Sequence, residues 1–88
     1  MIVVILAGTL QEAEGHARLA GLAMRDVVIP RSSEALAGLT LGKADLVVEL
    51  PSFRSLPREK RDEIEAVVLA KILRSPIGER AKWHRVVG

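Results

Sequence analysis

Residues 2–7, Ile-Val-Val-Ile-Leu-Ala, are all apolar and carry no period-2 alternation. A strand with one wet face alternates, so a continuous run means that both faces are covered. The β-branched residues Ile2, Val3, Val4 and Ile5 favour strand over helix. Gly8 then permits a tight turn, and Thr9 with Glu12 three residues later forms a capping-box pattern, TLQE. Strand, glycine turn and capped helix together open a βαβ unit. The rest of the chain is read as elements laid beside or across this strand.

The first helix is expected from Leu10 to about Leu22, with Leu10, Ala13, Ala17, Ala20 and Met24 in one narrow stripe and Gly21 as its stop. Asp26–Ile29 predicts a short second strand at a sheet edge, because Pro30 blocks further pairing. A brief helix follows, capped by Ser32 or Ser33 and limited by Gly38 and Gly42. Asp45–Leu50 predicts a third strand ending at Pro51. Glu49 interrupts its apolar run and is expected near an edge or strand end, with its carboxylate reaching water. The last helix is expected from about Pro57 to Arg74, with Ser55 near its cap. Its first half is charged, with Arg58–Asp62 and Arg61–Glu65 at i,i+4. Its second half, AVVLAKIL, is apolar on nearly every face. Ile64, Val67, Val68 and Ile72 form one stripe, while Leu69 and Leu73 point away from it. Those two need cover from residues 76–88 folding back (Ile77, Trp83, Val86, Val87) or from a second chain.

The pattern is β-α-β-α-β-α. It predicts an α/β domain over residues 1–75 with a three-stranded parallel sheet, followed by a basic C-terminal tail over residues 76–88. The preferred strand order is 2-1-3, which covers both faces of the first strand. The alternative is 3-2-1, with one face covered by the last helix or a partner. The chain has 88 residues, one Phe, one Trp and no Tyr, so the core must be aliphatic. The absence of Cys excludes a disulfide framework, a thiol nucleophile and a Cys-based zinc site. The N-terminal apolar run is too short for a membrane span or signal-peptide core, so a cytoplasmic location and no membrane partner are expected.

No catalytic set emerges, and the enzyme question leans towards no. AGTLQEA fits neither G-x-G-x-x-G nor the Gly-Lys-Ser/Thr phosphate loop. His16 and His84 have no evident metal partners, and Asp62, Glu63 and Glu65 lie on different helix faces. Neither a metal nor a cofactor is expected. In sheets of this type ligands bind beyond the strand carboxyl ends. That edge would carry Gly8 and Thr9, then Arg31, Ser32 and Ser33, then Ser52 and Arg54: free N–H groups, hydroxyls and two arginines suited to an anion such as a nucleotide or other phosphorylated ligand. Thr9 and the serines are equally what helix caps require. A second candidate is the tail. Residues 74–88 carry a net charge of +3 and residues 1–73 a net of −1. Arg80, Lys82 and Arg85 around Trp83 suit nucleic acid, while the plainer reading is a solvated extension with Trp83 as a packing anchor. The third candidate is an interface at Ala66, Leu69, Ala70, Leu73 and Trp83, for self-association into a homo-oligomer or for another protein.

The segments IVVILAGTLQEAEGHARLAGL, DVVIPRSSEALAGL and ADLVVELP resemble small Rossmann-like α/β proteins of unknown function encoded by phages of actinobacteria. The resemblance covers about residues 2–74. It implies a three-stranded Rossmann-like core and a role in the infected host cytoplasm, and it carries no functional residues across. The leading expectation is a non-enzymatic interaction module, a phage accessory protein acting on host or phage proteins. The alternatives are a phosphorylated-ligand binder at the strand ends and a nucleic-acid binder through the tail.

Overall fold

The computed structural model describes residues 1–87. Four strands form one sheet: β1 (Val3–Leu6), β2 (Val27–Val28), β3 (Leu46–Glu49) and β4 (Lys82–Arg85). Their order is β2-β1-β3-β4 and all neighbours are parallel. The expected 2-1-3 order is present, and 3-2-1 is not. The sheet has four strands rather than three, because residues 82–85 of the expected tail pair with β3. Two α-helices are present among the described residues, α1 (Leu10–Leu19) and α2 (Arg58–Leu73). The brief helix expected after Ser32 is a single 3₁₀ turn, Ser33–Leu36, and Pro51–Ser55 forms another.

β1 lies inside the sheet with all four residues buried. Alternate side chains feed two separate cores. Val3 and Ile5 pack with Ala13 and Ala17 of α1 and with Val48 and Leu50. Val4 and Leu6 pack with Val47, Phe53, and Ile64, Val68 and Ile72 of α2. The sheet grows from β1 to β2 in one direction and from β3 to β4 in the other. Crossovers of one hand then place α1 and α2 on opposite faces.

Thr9 caps α1 as its sequence predicts: its Oγ1 accepts from the Glu12 N–H (3.2 Å) and donates to Glu12 Oε1 (3.4 Å). The helix ends three residues before Leu22, and Gly21 leaves it with φ +70°, a conformation that glycine supplies without strain. α2 starts at Pro57 without a side-chain cap; Ser55 instead donates to its own turn at the Ser52 carbonyl (2.6 Å). The segment joining β2 to β3 covers the α2 face through Leu36 and Leu41. Lys71 Nζ and Ser75 Oγ of the helix side hold it by donating to the carbonyls of Leu39 (2.7 Å) and Leu41 (3.0 Å). Asp45 fixes the entry to β3. Its two carboxylate oxygens accept from the N–H groups of Ile2 and Gly42, each at 2.7 Å.

Candidate functional site: a buried carboxylate under two arginines

Glu49 ends β3, and the register places it beside Leu6 of β1 and Arg85 of β4. Its exposure is 1%. The expectation that its carboxylate reaches water fails because β4 makes β3 an interior strand. The carboxylate is instead fully partnered. Oε1 accepts from Trp83 Nε1–H (3.3 Å), and Oε2 faces Nε of Arg85 at 3.3 Å and Nε of Arg54 at 3.6 Å. A carboxylate this deep is costly unless paired, and each partner has a clear structural origin. Parallel pairing puts Trp83 and Arg85 on the same face of β4 as Val47 and Glu49. The 3₁₀ turn after Pro51 swings Arg54 back over the end of its own strand while burying Phe53.

Both arginine side chains remain 59% exposed. Nε is the atom of each that lies nearest Glu49, and more than half of each side chain stays open to solvent. Arg61 of α2 joins them: its Nη1 donates to the Arg54 carbonyl (3.1 Å). The expected Arg61–Glu65 pair is therefore replaced by a bond from helix to turn, whereas Arg58–Asp62 (3.5 Å) and Glu14–Arg18 (3.8 Å) form as their spacing predicts. Three depressions adjoin here. One, about 230 Å³, is lined by Arg54, Arg61, Asp62, Glu65 and Arg85. One, about 660 Å³, runs between α2 and β4 over Ala66, Leu69 and Trp83 and is bordered by Asp62, Glu65 and Arg85. A third, about 280 Å³, lies at Pro51, Val86 and Val87.

The other candidate ligand residues sit differently. The Gly8 N–H donates to Ser52 Oγ (3.0 Å), and a Cβ built on Gly8 would lie 2.5 Å from the Ser52 carbonyl oxygen. The turn after β3 therefore fills the crevice between the ends of β1 and β3. Thr9 is committed to its cap, and Ser33 Oγ donates to Glu63 Oε1. Arg31 and Ser32 are exposed. The depressions that Arg54 lines include none of Gly8, Thr9, Arg31, Ser32 or Ser33. Arg54 alone of that set meets a second guanidinium.

The tail candidates are divided by strand geometry. Trp83 and Arg85 face α2, whereas Lys82 and His84 project from the other side. Arg80 Nε donates to the Ser75 carbonyl (2.9 Å). Of the interface candidates, Ala66, Leu69, Ala70 and Leu73 are exposed and Trp83 is half-buried. Trp83 thus covers one flank of α2 and leaves Leu69 and Leu73 open.

Sequence reasoning missed Glu49, Arg61 and Arg85 as one cluster. The available signal was a lone carboxylate in an apolar strand, which demands nearby cations once that strand is interior. Among the described residues, no group of three or more His, Asp or Glu side chains is placed to hold a metal ion. None of their helices is long and apolar enough to cross a membrane. No protein-family model, curated protein or solved structure matches the chain.

Proposed function

We propose that the protein is a non-enzymatic interaction module that self-associates through the outer face of α2. Following the resemblance of its sequence, we take it to serve as a phage accessory protein acting on host or phage proteins. One observation carries the reading: Ala66, Leu69, Ala70 and Leu73 recur at i, i+3, i+4 and i+7, and all four are exposed. Leu69 is 49% and Leu73 53% open to solvent. A solvated helix face carries polar residues; this one is an apolar stripe opposite the buried stripe of Ile64, Val68 and Ile72. Its alanines allow another helix to approach closely.

The magnitude sets the kind of association. Covering the open half of a leucine contributes about 1 kcal/mol. Two leucines on each of two copies contribute about 4 kcal/mol, with Trp83 and the alanines adding to it. Association costs at least about 4 kcal/mol in lost freedom. The leucine gain and this cost nearly cancel, so what Trp83 and the alanines add leaves a weak, reversible dimer with a Kd of about millimolar at best, not an obligate one.

Sedimentation velocity across a wide concentration range tests this. The wild-type protein should shift from monomer towards dimer, and the double variant Leu69→Gln, Leu73→Gln should stay monomeric with an unchanged melting temperature. Both positions are half-exposed, so the variant keeps its core. A wild-type protein that remains monomeric at millimolar concentration would refute the proposal.

A further inference from the structure

The arginine cluster over Glu49 has a chemistry that the self-association reading does not use. Arg54 comes from the turn after β3, Arg61 from α2 and Arg85 from β4, and all three line one depression of about 230 Å³. Arg54 and Arg85 spend their Nε edges on a single buried oxygen, Glu49 Oε2. This holds the two guanidiniums together despite their like charge while both side chains stay 59% exposed. A carboxylate ligand is satisfied by one guanidinium fork. Three forks arriving from three elements suit a tetrahedral oxyanion with several terminal oxygens. The adjoining groove of about 660 Å³ has Trp83, Ala66 and Leu69 along its wall, the setting for a flat apolar group.

We propose that Arg54, Arg61 and Arg85 form a binding site for a phosphate monoester, whose organic group lies in the groove against Trp83 and Leu69. Glu49 acts as a positioning residue for two of the three arginines. The site lies at the ends of β3 and β4, away from the crevice between β1 and β3. Its affinity is modest, because Asp62 and Glu65 also border it. Asp62 is already engaged by Arg58 at 3.5 Å, which leaves Glu65 as the main opposing charge.

Trp83 is the only tryptophan of the chain, and its Nε1–H bonds to Glu49. Its indole N–H resonance therefore reports directly on the cluster. The test is to titrate the 88-residue protein with inorganic phosphate, phenyl phosphate and phenol at constant ionic strength, following that resonance. Both phosphates should shift it saturably, phenyl phosphate at lower concentration, and phenol should leave it in place. Arg54→Gln, Arg61→Gln and Arg85→Gln should each raise the phenyl phosphate Kd about tenfold, the loss of one charge-assisted contact. Arg61 does not touch Glu49, but its Nη1 donates to the Arg54 carbonyl, so its variant is read as ligand contact only where the Trp83 resonance of the ligand-free variant matches that of the wild type. Glu65→Gln should lower the Kd, and Arg31→Gln should leave it unchanged. A shift that never saturates, that chloride reproduces, or that survives all three arginine substitutions would overturn the site. Equal affinity for both phosphates would overturn the groove assignment. The proposal does not rest on self-association, but its groove shares Ala66, Leu69 and Trp83 with the proposed dimer face, so the titration is run at a protein concentration where sedimentation shows monomer and the Trp83 resonance reads the ligand alone.

Discussion

Replacing Gly8 by alanine tests the packing that separates the two strand-end regions. The added Cβ would stand 2.5 Å from the Ser52 carbonyl oxygen and 2.8 Å from Ser55 Oγ. The first neighbour is backbone, held in a turn whose Phe53 is buried, so it cannot simply rotate away. Relief requires β1 and the turn to part, which strains the Gly8 N–H bond to Ser52 Oγ. Overpacking costs about 1–3 kcal/mol, and a weakened hydrogen bond adds about 1 kcal/mol. The stiffer unfolded chain returns about 0.5–1 kcal/mol. The net is a loss of about 2 kcal/mol, or roughly 8–16 °C in melting temperature for a domain of this size. Gly15→Ala is the matched control. It lies inside α1 with nothing within 4 Å of its added Cβ. It should stabilise by about 0.5–1 kcal/mol through helix propensity alone. Thermal melts followed by far-UV circular dichroism read both, and the same substitution must give opposite signs. A Gly8→Ala protein as stable as wild type would mean that the β1–β3 crevice is open. The reasoning would then fail, and Gly8, Thr9 and Ser52 would regain standing as ligand contacts.

Asp45→Ala removes the acceptor of two 2.7 Å bonds, from the N–H groups of Ile2 and Gly42. It should cost about 2–3 kcal/mol in urea denaturation, and an unchanged midpoint would refute the role. Glu49→Leu should cost no more than about 1–2 kcal/mol, the part that comes from leaving the half-buried Trp83 Nε1–H without its acceptor. The carboxylate is costly to bury, and Arg54 and Arg85 are exposed enough to be solvated once it is gone; a loss of several kcal/mol would show that the cluster is a structural clamp. Native-state hydrogen exchange should protect the Val86 amide, which donates to the Glu49 carbonyl at 2.9 Å. Exchange at the rate of an unstructured peptide would mean that β4 is not part of the sheet.

Much of this architecture is legible in the sequence because the signals are local. The unbroken run Ile2–Ala7 requires cover on both faces, and two separate cores on β1 supply it. Pro30 and Pro51 stop their strands, TLQE caps its helix, and the paired stripes of α2 foretell both its buried and its open face. The fourth strand was not legible. KWHR carries three basic side chains and one aromatic, and its inward residues acquire meaning only beside β3 and α2. The misreading of Glu49 has the same cause. With β3 at an edge, a carboxylate there belongs in water. With β4 alongside, it is interior, and Arg85 arrives with the strand that buries it. The arginine site was hidden because its members are 5, 12 and 36 residues from Glu49 in sequence. Only the register of β4 and the 3₁₀ turn bring them together.

The all-parallel sheet also governs how the chain reaches this state. Val3 pairs with Val27 and with Leu46, and Leu46 pairs with Lys82. No pair of strands among the described residues is joined by a short hairpin, so each ladder closes only after a long loop has been ordered, and that entropy is lost before any pairing offsets it. Both α1 and α2 bury their apolar sides against β1 and β3, so neither has a place to pack until those two strands pair. The folding transition state is therefore expected to require the β1–β3 pairing. Substitutions in β1 should slow refolding, while those on the outer face of α2 should leave the rate unchanged.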